Sequence, residues 1–218
     1  MCKKTGKEIK MVNKICNLIM GRIKKEMPDI DEERAEIIEY GLQMIIGEVP
    51  KMAVMFFIAY ILGVFKLTLI AYFALLPYKY FVGGVHAKSH IACLISSPII
   101  YSGNAIISKY MPVIPLKYRI ILTLVVWIFS IIVISIYAPA DTENVPILRK
   151  KERIYKKIMS YIIMTITLII AIIIHNNHVI SNLLIIGCLI HSVFITRPMY
   201  KLYHNKYGYE VYANEVGN

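Results

Sequence analysis

Apolar positions recur in steps of three and four near the start of the chain: Ile9, Val12, Cys16, Ile19 and Ile23, with Lys7, Lys10, Lys14 and Lys24 between them. That spacing predicts an amphipathic helix. Met27-Pro28-Asp29 ends it, because proline cannot continue a helix without losing a backbone bond. Asp29 or Asp31 can cap a second helix, whose apolar stripe is Ile37, Ile38, Leu42, Ile45 and Ile46. Residues 1–47 are therefore expected to form an amphipathic helical hairpin at the membrane surface or on a bundle. From residue 48 the pattern changes to near-continuous apolar runs, at 49–65, 67–82, 91–108, 118–138, 157–175 and 179–196. Several lie near the roughly 17 residues needed to cross the hydrocarbon core, and the first two are the weakest. The expected fold class is all-α, a polytopic transmembrane helical bundle of about six segments over 48–200, with a cytoplasmic tail at 201–218. The whole reads as one domain.

Composition narrows this further. The chain has 218 residues, 57% hydrophobic and 18% charged, with a mean hydropathy of +0.58. Soluble domains run roughly 45–50% apolar and about 25% charged. A soluble enzyme, a disordered chain and a disulfide-rich scaffold are excluded by the same numbers. Lys and Arg number 25 against 14 Asp and Glu. In a membrane bundle such an excess marks cytoplasmic loops and anionic headgroups, so the lipid bilayer, not nucleic acid, is the expected partner. With the N-terminus inside and six crossings, 20 of the 25 basic residues fall in inner segments and four in outer loops. Both termini are then cytoplasmic, and the Lys79–Cys93 segment shares that side with the 138–157 loop. Lys51 is set apart at the start of a span, where Glu48 at i,i+3 is its expected partner.

The densest group of polar side chains lies at an expected inner boundary: Lys79, then Gly83-Gly84, His86, Lys88, His90 and Cys93. Gly83-Gly84 is a backbone break that permits positive φ and close approach of another segment. Cysteine with histidine is the minimal set for nucleophilic acyl transfer, the thiolate attacking and the imidazole taking its proton. In a straight helix His90 meets Cys93 at i,i+3. His86 is seven residues away, about 10.5 Å along the axis, and needs a bend to reach the sulfur. The bland alternative is a packed cysteine flanked by interfacial histidines. Cys2, Cys16 and Cys188 are scattered, without a C-x-x-C pair, and read as packing residues. His175 and His178 flank an Asn176-Asn177 turn with no third ligand, so no metal and no cofactor is expected. The stretch Ala138-Pro139-Ala140-Asp141-Thr142-Glu143-Asn144-Val145-Pro146 brings Asp141, Glu143 and Asn144 to the same side as Cys93; it also reads as a helix stop and restart.

Taken together, Gly84-x-His86, Cys93 seven residues later and Tyr137-Ala138-Pro139-Ala140-Asp141-Thr142-Glu143-Asn144 resemble the accessory gene regulator protein B (AgrB) family. These are bacterial membrane cysteine endopeptidases that process autoinducer propeptides for quorum sensing. The resemblance covers essentially the whole chain. It implies that His86 and Cys93 are catalytic, that Gly84 is the family's glycine, and that Lys79 stands where a basic residue, often Arg, is found. Lys79, Gly83, Gly84, Lys88, His90, Asp141, Glu143 and Asn144 are then supporting or substrate-binding. It further implies an AgrD-like propeptide substrate, a thiolactone product, a homodimer and residence in the bacterial cytoplasmic membrane. Val145 departs from the family's frequent Lys or Arg before the loop's second proline. The rival reading is a small non-enzymatic transporter or structural membrane protein, which would put charges or helix breaks at mid-membrane. Another acyl or lipid transferase would need a phosphate- or CoA-binding element, and none is visible.

Overall fold

The computed structural model describes residues 16–23, 25–27, 31–85, 90–143 and 146–212. Residues 16–23 are helical, with Cys16 and Met20 buried. Eight further helices follow: α1 (Glu32–Ile61), α2 (Phe65–Val82), α3 (His90–Tyr110), α4 (Leu116–Tyr137), α5 (Lys150–Ile173), α6 (His178–Val193), α7 (Arg197–Leu202) and α8 (Gly208–Val211). Among the described residues there is no strand, so the chain is all-helical as its periodicity predicted.

The helix ends obey local chemistry. Asp31 occupies the N-cap position of α1, although its side chain makes no capping hydrogen bond. α1 then runs on through Pro50, carrying the chain in one piece across the boundary expected between surface hairpin and first span. Lys51 is buried and pairs with Glu48, as their spacing predicted. The turn at Asn176-Asn177 is closed by Asn177, whose side chain accepts the N–H of Ile180 at 3.2 Å. α5 starts seven residues earlier than its apolar run. The basic residues before that run are good helix formers and are held by the i,i+4 pair Glu152–Lys156 at 2.9 Å.

Among the described residues three helices are long and apolar enough to cross a membrane: α2, α4 and α5. α6 is apolar but only 16 residues long. It is nonetheless the centre of the bundle, packed against α2, α3, α4 and α5, while α1 lies on α3 and α2. Its buried residues include Ser181, Asn182, Gly187 and Ser192 among Leu183, Leu184, Ile185 and Cys188. Small and polar residues at a helix interface let backbones approach closely and bond across it. The lipid-sized side chains point outward instead: Ile128, Ile132 and Ile136 on α4, Ile162, Ile166 and Ile173 on α5 are all exposed.

Because α2, α4 and α6 finish at the same end, that end gathers residues 83–85, 138–143, 146–149 and 194–212. The opposite end holds three short reversals, at 62–64, 111–115 and 174–177.

Candidate functional site

The gathered end is built around the glycine pair. Gly83 has φ 78° and Gly84 φ 128°, conformations that side-chain-bearing residues rarely adopt. They turn the chain out of α2 and into contact with the loop after α4. Gly84 N–H donates to the Ala140 carbonyl at 2.8 Å, and Ala140 N–H donates to that of Val82 at 2.9 Å. A Cβ at Gly83 would lie 2.3 Å from the Ala140 oxygen, so the approach itself requires glycine. Val85 N–H then donates to the Phe194 carbonyl at 3.2 Å. The residue before His86 is thereby tied to the end of α6.

The loop that receives the glycines is itself fixed from behind. Asp141 is buried, with its side chain turned inward. Its Oδ2 accepts the Ile147 N–H at 2.9 Å and stands 3.2 Å from Arg153 Nη1. Arg153 lies over the Tyr209 ring, 4.4 Å from its centroid. Tyr200 donates its hydroxyl to the Asp141 carbonyl at 2.8 Å and stacks on Tyr207 at 3.9 Å. Burial, then the neighbouring Tyr207 and Asp141, raise the Tyr200 phenol far above its usual range, so it stays a neutral donor. Tyr207 donates to the Ile195 carbonyl at 2.8 Å, and Glu143 N–H donates to that of Lys206 at 3.2 Å. Gly208 admits the loop: a Cβ there would sit 2.6 Å from the Thr142 carbonyl.

Of the residues singled out in the sequence, Gly83, Gly84, Asp141 and Glu143 are thus brought together at one end. Lys79 lies one turn inside that end, its ammonium 5.6 Å from the centroid of the Tyr101 ring. His86, Lys88 and Asn144 lie outside the described residues. His90 and Cys93 are described as backbone alone, in the first turn of α3. Cys16 and Cys188 are buried and in no disulfide, in keeping with their reading as packing residues. Among the described residues no three His, Cys, Asp or Glu side chains are grouped to hold a metal.

Arg153, Tyr200, Tyr207, Gly208 and the Phe194 carbonyl were not found from the sequence. Arg153 was hidden in a basic run that served only to orient the bundle. The tyrosines at 200, 203, 207, 209 and 212 were the available signal that the last residues fold back, since a free tail has no use for so many rings.

A model of the family described as accessory gene regulator B matches residues 16–195. The chain is similar to the accessory gene regulator protein B of Staphylococcus aureus strain bovine RF122 / ET3-1, 31% identical over 156 residues, covering 72% of this chain and 79% of that protein. The protein of the same name from strain Newman is 32% identical over 138 residues, 61% of this chain and 69% of its own length. No solved structure matches. α7 and α8 lie beyond the matched region.

Proposed function

We propose that this chain, which belongs to the accessory gene regulator B family, is an integral-membrane cysteine endopeptidase of the bacterial cytoplasmic membrane that processes an AgrD-like quorum-sensing propeptide. Membership in the family carries the reading, and the geometry around Gly83 supports its details. Cys93 is the nucleophile. It stands in the first turn of a helix, where the unpaired N–H groups favour a thiolate. Val85, the residue before His86 in sequence, is anchored through its N–H to the Phe194 carbonyl.

In the proposed reaction His86 takes the Cys93 thiol proton as the sulfur attacks the carbonyl of the last signal residue. The tetrahedral intermediate collapses with His86 giving that proton to the leaving amine, and the C-terminal tail departs. The signal segment is left as a thioester on Cys93. A cysteine of that segment then attacks the thioester, closes a thiolactone ring, and returns a proton to Cys93. Water must be kept out, because hydrolysis would give a linear peptide. The basic character of the chain, +11 at neutral pH, suits a tail rich in acidic residues. Both termini and the 138–157 loop face the cytoplasm in this reading.

The test is cleavage in proteoliposomes of a short cysteine-containing propeptide with an acidic C-terminal tail. Cys93→Ala and His86→Ala abolish product, His90→Ala keeps a substantial part of it, and Cys2→Ser, Cys16→Ser and Cys188→Ser retain it. Full cleavage by Cys93→Ala ends the cysteine-peptidase reading, and loss with His90→Ala but not with His86→Ala moves the base to His90.

A further inference from the structure

Two polar clusters lie side by side in the bundle just inside the glycine end. In one, every hydroxyl is used: Tyr78 and Ser192 bond at 2.7 Å, Ser130 and Ser192 bond at 2.8 Å, and Ser192 donates to the Cys188 carbonyl at 2.8 Å. In the other, the groups meet but do not bond. The Tyr101 and His191 rings are 5.8 Å apart between centroids, with Tyr101 1% and His191 5% exposed. The Tyr101 hydroxyl and His191 Nε2 are both buried without a hydrogen-bond partner. Lys79 faces the Tyr101 ring at 5.6 Å and makes no ion pair with a described residue.

Such groups are costly in a membrane bundle, where water is scarce and an unpaired polar atom loses its hydration without return. The neighbouring serine network is bonded throughout, whereas Asn182 on the same helix as His191 also leaves both amide atoms without a partner, so it is composition and place that single out the second cluster. The second cluster has a different composition: an ammonium, a phenol and an imidazole, each able to donate and none supplied with an acceptor. Its place matches a ligand coming from the glycine end. Lys79 is one turn before Gly83, whose N–H donates to the Lys79 carbonyl. His191 is one turn before Phe194, whose carbonyl holds Val85.

We propose that Lys79, Tyr101 and His191 form a binding site for a carboxylate side chain of the peptide substrate, reached past the Gly83–Val85 segment. This rests on the peptidase reading above and adds to it a specific recognition site. The carboxylate would supply the missing counter-charge to Lys79 and the missing acceptor to the phenol and imidazole. The site acts on substrate affinity and takes no part in bond making.

The experiment uses two fluorescent peptides, each with a central cysteine. One has a Glu- and Asp-rich tail, and its twin carries Gln and Asn at those positions. Binding is measured to full-length Cys93→Ala protein in nanodiscs, and cleavage kinetics to the Cys93 form. Tyr101→Phe and His191→Leu each weaken binding of the acidic peptide about tenfold, and Lys79→Met about a hundredfold. The amide twin binds wild type as weakly as the Lys79→Met protein binds the acidic peptide, and it is scarcely weakened further by any of the three variants. In cleavage the change falls on KM with kcat held. Tyr101→Phe keeps the ring and removes a hydroxyl with no partner, so its thermal midpoint is at or above wild type. Equal binding of the acidic peptide by wild type and Tyr101→Phe overturns the proposal, as do losses from the variants that add independently to the loss from the amide twin. Cleavage by the Cys93→Ala protein would instead remove the peptidase mechanism while leaving this binding pattern standing.

Discussion

The two ends of the bundle solve the same problem in different ways. At the end holding 62–64, 111–115 and 174–177 the helices are joined by short reversals, and one buried side chain, Arg119, bridges two of them. Arg119 donates to the His175 carbonyl at the end of α5 and to the Ile114 carbonyl, both at 3.3 Å. Those carbonyls are the unpaired groups that any helix end or reversal leaves behind, and a guanidinium there is a cap. At the glycine end the chain spends many more residues. The 83–85 segment, the 138–149 loop and α7–α8 are joined by main-chain bonds, a buried Asp141–Arg153 pair and stacked tyrosines. Capping helices does not call for that much structure. It fixes the backbone from Gly83 to Val85, and the difference teaches where this molecule holds position and where it only closes a turn.

The comparison breaks most sharply at Gly83. Gly83→Ala forces a side chain into a backbone conformation that costs about 1–3 kcal/mol by itself. It also presses the new methyl against the Ala140 carbonyl, where 2.3 Å is available. The Gly84–Ala140 and Ala140–Val82 bonds cannot both survive. Cleavage in proteoliposomes is expected to fall below detection while the helical circular dichroism of the bundle remains. Wild-type activity in this variant would mean that the glycine end is not needed to hold the site.

A matched pair of substitutions sharpens the contrast. Asp141→Asn keeps shape and an acceptor for Ile147 N–H but leaves the Arg153 guanidinium without its charge partner. Arg119→Lys keeps the charge at the other end but loses the two-armed reach to His175 and Ile114. Losing a charged hydrogen bond costs about 1.5–3 kcal/mol, so both variants are expected to melt lower than wild type. Only Asp141→Asn should also slow peptide cleavage, by about tenfold at matched folded fraction. Equal slowing in both would make the glycine end a stability element like its opposite.

These contrasts also separate what the sequence made legible from what it did not. Apolar runs read at 67–82, 91–108 and 118–138 appear as helices Phe65–Val82, His90–Tyr110 and Leu116–Tyr137, the first and last of them long and apolar enough to cross a membrane, because apolar runs bounded by breaks define helices. The glycine pair was legible too, since only glycine serves both positive φ and close approach. The start of α5 was not, because Lys and Arg before an apolar run look the same in a loop and in a helix. Asp141 was singled out as an acceptor facing the site. Its partner could not be found, because the choice of Arg153 among six nearby basic residues is made by tertiary packing. The inward fold of the last residues was hidden by their polarity: Lys201, Asn205 and Lys206 alternate with tyrosines whose rings are the packing surface.

The smallest expected effect concerns those last residues. α7 and α8 lie outside the region matched by the family, yet Tyr200 reaches the Asp141 carbonyl and stacks on Tyr207. If they merely cover the end of the bundle, removing one hydroxyl there changes little. If they brace the loop that receives Gly83 and Gly84, the loss passes to the site. Tyr200→Phe keeps the stacked ring and removes one bond, worth about 1 kcal/mol when a neutral donor is lost. The carbonyl it leaves is bound to the segment pinned by Arg153, so the loop loosens without detaching. The expected outcome is a two- to fivefold fall in kcat/KM, about what 1 kcal/mol allows, together with faster amide exchange at Ala140 and Gly84. The thermal midpoint should fall by a few degrees at most. Unchanged exchange at those two amides would show that α7 and α8 cover this end without bracing it.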